Sequence, residues 1–366
     1  MLKEFTIETS LKEETIDTIV IGGGQSGLAT GYFLSHQGKE FVILDNNSRT
    51  GDIWRSRWES LRLFTPSQFD SLPGLPFLQT INYLPSKNEI ADYLETYASY
   101  FNLPIRHNIK VDSLTRNEKG YIINTNDGRF FAKNVIIATG PYQLPYTPEL
   151  SIQLDTNITQ IHSSKYQNPK QIPVNNILVV GAGNSGAEIA LDLIKTGKKV
   201  WLAGRDVGRV PANSPAGKFF NGRPIWWIMT HMLTIDTPIG RKMQTNSVHH
   251  GTPLGRATRA EIAAAGVTLS PRLSNIVSGK PQLENAQIIP AEAVIWATGF
   301  KPDYSWIKMP IFDAKGYPVH DRGVIKKAAG LYFIGLFFQT GLSSSFLGGV
   351  GKDAAFITAL LAKKNG

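Results

Sequence analysis

The chain has no cysteine. Without thiols it cannot pass electrons through a redox-active cysteine pair or reduce peroxide through a cysteine sulfenic acid. Any electrons it handles must leave for something diffusible, with dioxygen the obvious acceptor. No run of eighteen apolar residues is present, so no membrane-spanning helix is expected. The stretch from Met1 to Asp17 alternates charged and apolar residues and lacks the apolar region of a secretory signal, so a cytoplasmic location is expected. Histidine is sparse. The His249-His250 pair has no carboxylate or cysteine at ligand spacing and reads as surface rather than metal site. No Ser-His-Asp set is arranged for nucleophilic catalysis. The net charge is +9, with nine Lys or Arg against three acids between Arg205 and Arg272. No nucleic-acid-binding motif accompanies that surplus, which reads as a site for a phosphorylated cofactor plus solvated surface.

What the chain does have is a pair of glycine-rich turns. Gly22-Gly23-Gly24-Gln25-Ser26-Gly27 follows the apolar run Thr18-Ile19-Val20-Ile21, and Gly181-Ala182-Gly183-Asn184-Ser185-Gly186 follows Ile177-Leu178-Val179-Val180. Both read G-x-G-x-x-G between a strand and a helix, the pattern that seats a pyrophosphate on the helix N-terminus. The strand after the first turn, Phe41-Val42-Ile43-Leu44, ends on Asp45. A carboxylate there accepts from ribose hydroxyls and disfavours a 2′-phosphate. The strand after the second, Val200-Trp201-Leu202-Ala203, leads through Gly204 to Arg205, whose guanidinium suits a 2′-phosphate. Val135-Ile136-Ile137-Ala138-Thr139-Gly140 recurs as Val294-Ile295-Trp296-Ala297-Thr298-Gly299, and both pairs of motifs are 159 positions apart. A repeat that long fits two duplicated domains. Such a chain is built to pass electrons between two dinucleotides.

At 366 residues there is room for two ordinary domains. The spacing predicts a helix from about Ser26 to Gln37 stopped by Gly38, and another from Glu89 to Phe101 ended by Asn102. Residues 51–85 are rich in aromatics and proline and read as mostly loop. The segments 109–115, 120–125 and 129–137 read as a small antiparallel sheet, turning at Asn126-Asp127-Gly128. The expected fold is α/β, with two Rossmann-like dinucleotide-binding domains. Residues 1–145 and 292–366 would form an FAD-binding domain, 165–291 an inserted NAD(P)H-binding domain, and 146–164 a linker. The two crossings would act as a double hinge.

Several segments resemble the flavin-containing monooxygenases, including plant-type and small bacterial members. Gly51-Asp52-Ile53-Trp54-Arg55-Ser56-Arg57-Trp58 is similar to that family's G-G-x-W segment, departing at Asp52. Asn184-Ser185-Gly186-Ala187-Glu188 resembles its N-S-G-x-E stretch, and Ala297-Thr298-Gly299-Phe300-Lys301-Pro302-Asp303 its A-T-G-F/Y-x-P-D segment. Gly330-Leu331-Tyr332-Phe333-Ile334-Gly335 through Lys352-Asp353-Ala354 is similar to its last flavin-contacting strand and helix. The fingerprint F-x-G-x-x-x-H-S-x-x-Y survives only as His162-Ser163-x-x-Tyr166, with Thr156 and Ile158 at the Phe and Gly places. His162 and Tyr166 read equally as interdomain packing or NADPH contacts. Read without gaps, Phe64 stands where the family often has an asparagine beside the flavin. An amide hydrogen-bonds a flavin peroxide and a phenyl ring does not, so peroxide leakage is expected.

The resemblance implies that NADPH reduces FAD and that a flavin C4a-hydroperoxide oxygenates a soft nucleophile (sulfide or amine) or a ketone. An NAD(P)H oxidase or reductase and a non-catalytic redox sensor are the alternatives. The expected cofactor contacts around FAD are Gly22, Gly24, Gln25, Ser26, Gly27, Asp45, Trp54, Trp58, Val111, Ala138, Thr139 and Gly140. Those around NADPH, with NADH as the alternative, are Gly181, Gly183, Asn184, Ser185, Gly186, Arg205, Ala297, Thr298 and Gly299. Partners are a small-molecule substrate and O2, in a monomer or homodimer.

Residues 217–241 form an inserted aromatic segment with three readings. It is a lid over the substrate entrance, an amphipathic patch making weak contact with an anionic membrane, or an extra helix on its own domain. The lid is preferred of the two functional readings, the segment being short and proline-broken.

Overall fold

The computed structural model describes residues 12–209, 219–247 and 253–364. Its first five-stranded sheet is parallel throughout, in the order Leu331–Phe333, Asn134–Ile137, Thr18–Ile21, Phe41–Leu44, Ile105–Arg106. The central strands are unbroken apolar runs because helices or sheets cover both faces. Their alternation divides the core. Val20, Ile43 and Ile136 face the helices Gln25–His36, Lys87–Tyr100 and Val350–Lys364. Ile19, Ile21, Val42, Leu44, Val135 and Ile137 face the other way, against a smaller four-stranded sheet. Ile136 is wholly buried, so Ile136→Ala is expected to cost about 2–5 kcal/mol.

The small sheet corrects one expectation. Residues 129–137 are two strands, not one. Gly128–Ala132 closes a hairpin on Gly120–Thr125 through the two residues Asn126 and Asp127, whereas Asn134–Ile137 crosses into the parallel sheet. Glu13–Thr15 adds a parallel edge strand that hydropathy did not reveal.

The second sheet repeats the plan, in the order Thr159–His162, Ala293–Trp296, Asn176–Val180, Lys199–Ala203, Thr268–Ser270, again all parallel. Its outermost strand, 159–162, comes from the stretch read as linker. The chain crosses between the two sheets twice, and the crossings pair with each other: Leu144–Pro145 is antiparallel to Phe300–Lys301. Leu331–Phe333 joins the first sheet, and the last helix packs on Gln25–His36.

The inserted segment differs most from expectation. Its described part packs on the first unit rather than on its own sheet. Trp226 stacks on Phe69 with ring centres 4.9 Å apart. Ile235 N–H donates to Thr340 O (2.9 Å), and Leu342 N–H donates to Leu233 O (2.9 Å). The Arg322 guanidinium grips Asp236 with two nitrogens. Pro224 does not break the helix Arg223–Trp227. It sits in the first turn, where its missing N–H costs nothing.

Candidate functional site

The two glycine turns have the same backbone. Gly22 and Gly181 have φ of +110° and +108°, and a Cβ on either would strike a carbonyl, 2.6 Å from Ala138 O or 2.2 Å from Ala297 O. Those carbonyls belong to the Ala-Thr-Gly returns, held by Ala138 N–H to Ile21 O and Ala297 N–H to Val180 O, both 2.8 Å. Gly27 and Gly186 press on the same turns, 1.9 and 1.8 Å from a would-be Cβ to Gly22 O and Gly181 O. Above the turns the situation reverses. Nothing lies within 4 Å of a Cβ built on Gly24, Gly140, Gly183 or Gly299. Neither helix start has a side-chain cap or a first-turn acid. Each turn therefore combines free amides, a positive helix end and open space, the fit a dinucleotide pyrophosphate requires.

The turns differ where a ribose would lie. Asp45 is buried, with Oδ1 accepting from the backbone and side-chain nitrogens of Asn47 at 2.8 Å each. Its Oδ2 lies against Gly23, 2.2 Å from where a Cβ would stand. Shifted by 159, Gly23 becomes Ala182 and Asp45 becomes Gly204. A Cβ on Gly204 would lie 2.6 Å from Ala182 N and 2.8 Å from Ala182 Cβ. The methyl on one turn and the carboxylate on the other strand end exclude each other. The second site thus has no strand-end acid, and Arg205 follows, exposed and without hydrogen bond or ion pair among the described residues. Its neighbour Asp206 is occupied, accepting from Gly208 N–H at 2.9 Å and facing Arg259 at 3.6 Å.

Asn184 braces the second turn. Its amide donates to Pro253 O (3.1 Å) and accepts from Gly255 N–H (2.8 Å). Gly255 in turn packs on Phe64, whose Cβ would be 2.5 Å from a Cβ there, and the Phe64 ring meets Phe346 edge-on at 5.5 Å. Phe64 therefore stands at the seam between the units, at the end of a ladder of half-buried rings that runs through Phe346 and Trp226 to Phe69. Gln25 Nε2 donates to Ser345 O (2.9 Å) and ties the first turn to this ladder. Ser26 is buried beside Gly335, and Ser185 is half-buried on its own helix.

His162 and Tyr166 part company. His162 Nε2 lies 3.0 Å from Gly299 O, and Nδ1 accepts from Ser164 N–H at 3.1 Å. Burial lowers the pKa of this ring, so the neutral form holds the Ala297-Thr298-Gly299 return in place. Tyr166 is fully buried and donates to Asp192 (3.0 Å) within the second core. Trp54 packs on the first core and Trp58 in the second, its indole N–H buried without a partner among the described residues. Val111 packs beneath the first sheet.

Between them lies Arg57, which the sequence reading passed over. Its guanidinium is 5.6 Å from the Phe300 ring and 6.0 Å from the Tyr142 ring, with no hydrogen bond or ion pair among the described residues. Burial lowers its pKa, and no carboxylate opposes that. Tyr142 and Phe300 each follow one of the Ala-Thr-Gly returns, so this lone cation sits where the two sites face each other. Each unit also holds a carboxyl that burial affects, Asp70 in the first and Glu188 in the second. Burial pushes Glu188 up to about 7 despite Arg256 at 3.1 Å, and Asp70 up to about 7 with only the Thr65 hydroxyl donating to it. No metal-binding group occurs among the described residues, and His249-His250 lies outside them.

The profile of the pyridine nucleotide-disulphide oxidoreductase family matches residues 19–215. An oxidoreductase of Geobacillus kaustophilus named CzcO-like is 39% identical over 351 residues, covering 94% of this chain and 98% of that one. The probable indole-3-pyruvate monooxygenase YUCCA8 of Arabidopsis thaliana is 27% identical, covering 91% of this chain and 86% of that one. The solved flavin-containing monooxygenase from Stenotrophomonas maltophilia superposes with a TM-score of 0.78 at 25% identity, covering 96% of this chain and all of that one.

Proposed function

The chain belongs to the pyridine nucleotide-disulphide oxidoreductase family and has flavin-dependent monooxygenases among its relatives, and on that premise we propose that it is an NADPH- and dioxygen-dependent FAD monooxygenase. The observation that carries the reading is the pair of matched turns with exchanged residues: Gly23 under Asp45 on one, Ala182 beside Gly204 and Arg205 on the other. The first would hold FAD through Gly22, Gly24 and Asp45, and the second NADPH through Gly181, Gly183 and Arg205. Bound FAD supplies hydride acceptance and dioxygen activation, and the residues around it position the partners and exclude water. His162 fixes the second return, Asn184 fixes the 253–255 loop, and Phe64 packs against that loop at the seam between the units. The absence of cysteine leaves a diffusible acceptor as the only outlet.

Sulfides, amines and ketones are the candidate substrates. Among ketones a 2-oxo acid, the class for which the Arabidopsis relatives are named, is favoured by Arg57, a guanidinium without an anionic partner beside both sites. The test is oxygen-dependent NADPH consumption with methyl tolyl sulfide, an amine and a 2-oxo acid, followed by product analysis. Oxygenated product in proportion to NADPH supports the reading. Hydrogen peroxide in that proportion with every substrate points instead to an oxidase, and no steady flux to a sensor.

A further inference from the structure

Helices that are apolar on every side are ordinarily buried. The run Arg223–Trp227 continued by Ile228–Met232 is apolar on two sides and covered on one. Its inner side carries Trp226, stacked on Phe69, and the buried Met229. Its outer side carries Trp227, Ile228 and Met232, which are 54%, 40% and 39% exposed. Beside it the 78–82 loop presents Leu78 and Ile81, 84% and 59% exposed. The two are tied together: Gln68 Nε2 donates to Asn221 O (3.0 Å) and to Asn82 Oδ1 (3.0 Å), and Asn82 Nδ2 donates to Asn221 Oδ1 (3.2 Å). Five large exposed apolar side chains thus stand on two elements that these hydrogen bonds join, more than scattered surface residues account for.

We propose that this patch docks the protein onto an anionic membrane surface. The charges around it identify the occupant. Arg223, Arg241 and Lys242 are exposed on the same segment, and its one acid, Asp236, is held by Arg322. The 78–82 loop carries no charge. A second copy of the chain would bring these cations against their own kind, whereas anionic headgroups complement them while the apolar side chains enter the acyl boundary. The segment needs no helix to fold at the interface, because Trp226, Asp236 and the pairing with residues 340–342 already hold it in shape. The placement also lays the Phe69-Trp226-Phe346-Phe64 ladder between the membrane-facing side and the first turn, a path along which an apolar substrate could arrive.

The experiment is co-sedimentation of the FAD-loaded protein with vesicles of phosphatidylcholine alone or with about 30% phosphatidylglycerol, at about 0.05 and about 0.5 M NaCl. The wild type is expected to bind the anionic vesicles at least about tenfold more than the neutral ones and to release in high salt. Trp227→Ser with Ile228→Ser, and separately Leu78→Ser with Ile81→Ser, should each abolish binding while flavin content and NADPH oxidation stay at wild-type level. Arg223→Glu with Lys242→Glu should weaken binding and remove its preference for anionic lipid. The proposal is overturned if the wild type stays in solution with both vesicles, or if both apolar pairs of variants bind as wild type does. It is also overturned if ultracentrifugation shows a dimer that the Trp227/Ile228 variant dissolves, the patch then being an interface between copies. None of these outcomes depends on which substrate the enzyme oxygenates.

Discussion

The two nucleotide turns have the same backbone, and they differ by one exchange of side chains. On the first, a bare Gly23 leaves room for the Asp45 carboxylate. On the second, Ala182 fills that room, and the strand end must be the bare Gly204. On the first turn a Cβ at Gly23 would meet Asp45 Oδ2 at 2.2 Å, and on the second a Cβ at Gly204 would meet the Ala182 nitrogen at 2.6 Å and its Cβ at 2.8 Å. On the proposed reading, the second turn differs from the first by the loss of the strand-end acid as well as by the added Arg205. Arg205 then finds a site free of competing acid, because Asp206 is held by Gly208 and Arg259.

The comparison breaks most completely if one turn is destroyed at a time. Gly181→Val places a branched side chain at φ +108° against Ala297 O. It should slow NADPH-driven flavin reduction at least about a hundredfold, about 2.7 kcal/mol, while the protein stays yellow and dithionite still bleaches it. Gly22→Val should give the opposite result, a colourless protein that still binds NADP⁺. If both variants lose both cofactors, the turns do not act as separate sites.

The two sides also differ in how they bury a carboxyl. Glu188 has the Arg256 guanidinium, whereas Asp70 has only the Thr65 hydroxyl and an Oδ2 that is buried without a partner among the described residues. Both are raised by burial to about 7 from ordinary carboxylate values. A raised folded-state value means that the native state binds more protons than the unfolded chain between about pH 4 and pH 7. The stability present at the acid end is then lost as pH rises through 7. Urea unfolding from pH 5 to pH 8 should show this fall, on the order of 2–3 kcal/mol from Asp70. Asp70→Asn and Glu188→Gln should each flatten the slope, because both carboxyls rise to about 7. A wild-type curve level across that range would show that neither carboxyl carries a proton at pH 6.

Smaller, and more diagnostic, is the swap itself. Ala182→Gly with Gly204→Asp removes the methyl but leaves the residue-182 nitrogen 2.6 Å from the new Cβ, so it should shift kcat/KM from NADPH toward NADH by no more than about tenfold, about 1.4 kcal/mol. Gly204→Asp alone should impair both cofactors through its collision with Ala182. Arg205→Ala should lower the NADPH preference without raising NADH turnover. Equal ratios in wild type and Arg205→Ala would show that this guanidinium does not read the phosphate.

Much of this was legible in the sequence because each glycine turn needs its local pattern to exist at all. The strands flanking the turns, the 159-residue repeat and the spacing of Asp45 from its turn all followed from short-range spacing. The swap at Ala182 and Gly204 was readable too, had the same offset been applied to Gly23 and Asp45. What spacing did not carry were contacts between distant segments. Arg57 looked like one basic residue in a motif until the folded chain placed Tyr142 and Phe300 over it. The 217–241 segment read as a lid, a membrane patch or an extra helix on its own domain, and only the folded chain shows its described part reaching Phe69, Arg322 and residues 340–342. Strand 159–162 was hidden because its burial is partial, as befits an edge.

Phe64 offers the finest test, because it touches both turns' surroundings at once. Its ring meets Phe346 on the side of the first turn, and its Cβ faces Gly255, which Asn184 holds beside the second. Phe64→Asn should supply an amide where the phenyl offers no hydrogen bond, and coupling of NADPH oxidation to product should rise by about two- to fivefold, under about 1 kcal/mol. Phe64→Ala should lower coupling instead, because it opens the seam to water without adding a donor. The measurement is the ratio of oxygenated product to hydrogen peroxide per NADPH consumed, with flavin content as the control for folding. The contrast matters more than either value. If asparagine and alanine change the ratio in the same direction, Phe64 acts by filling space between the two units. If they oppose each other, the position governs how the oxidising equivalent is held.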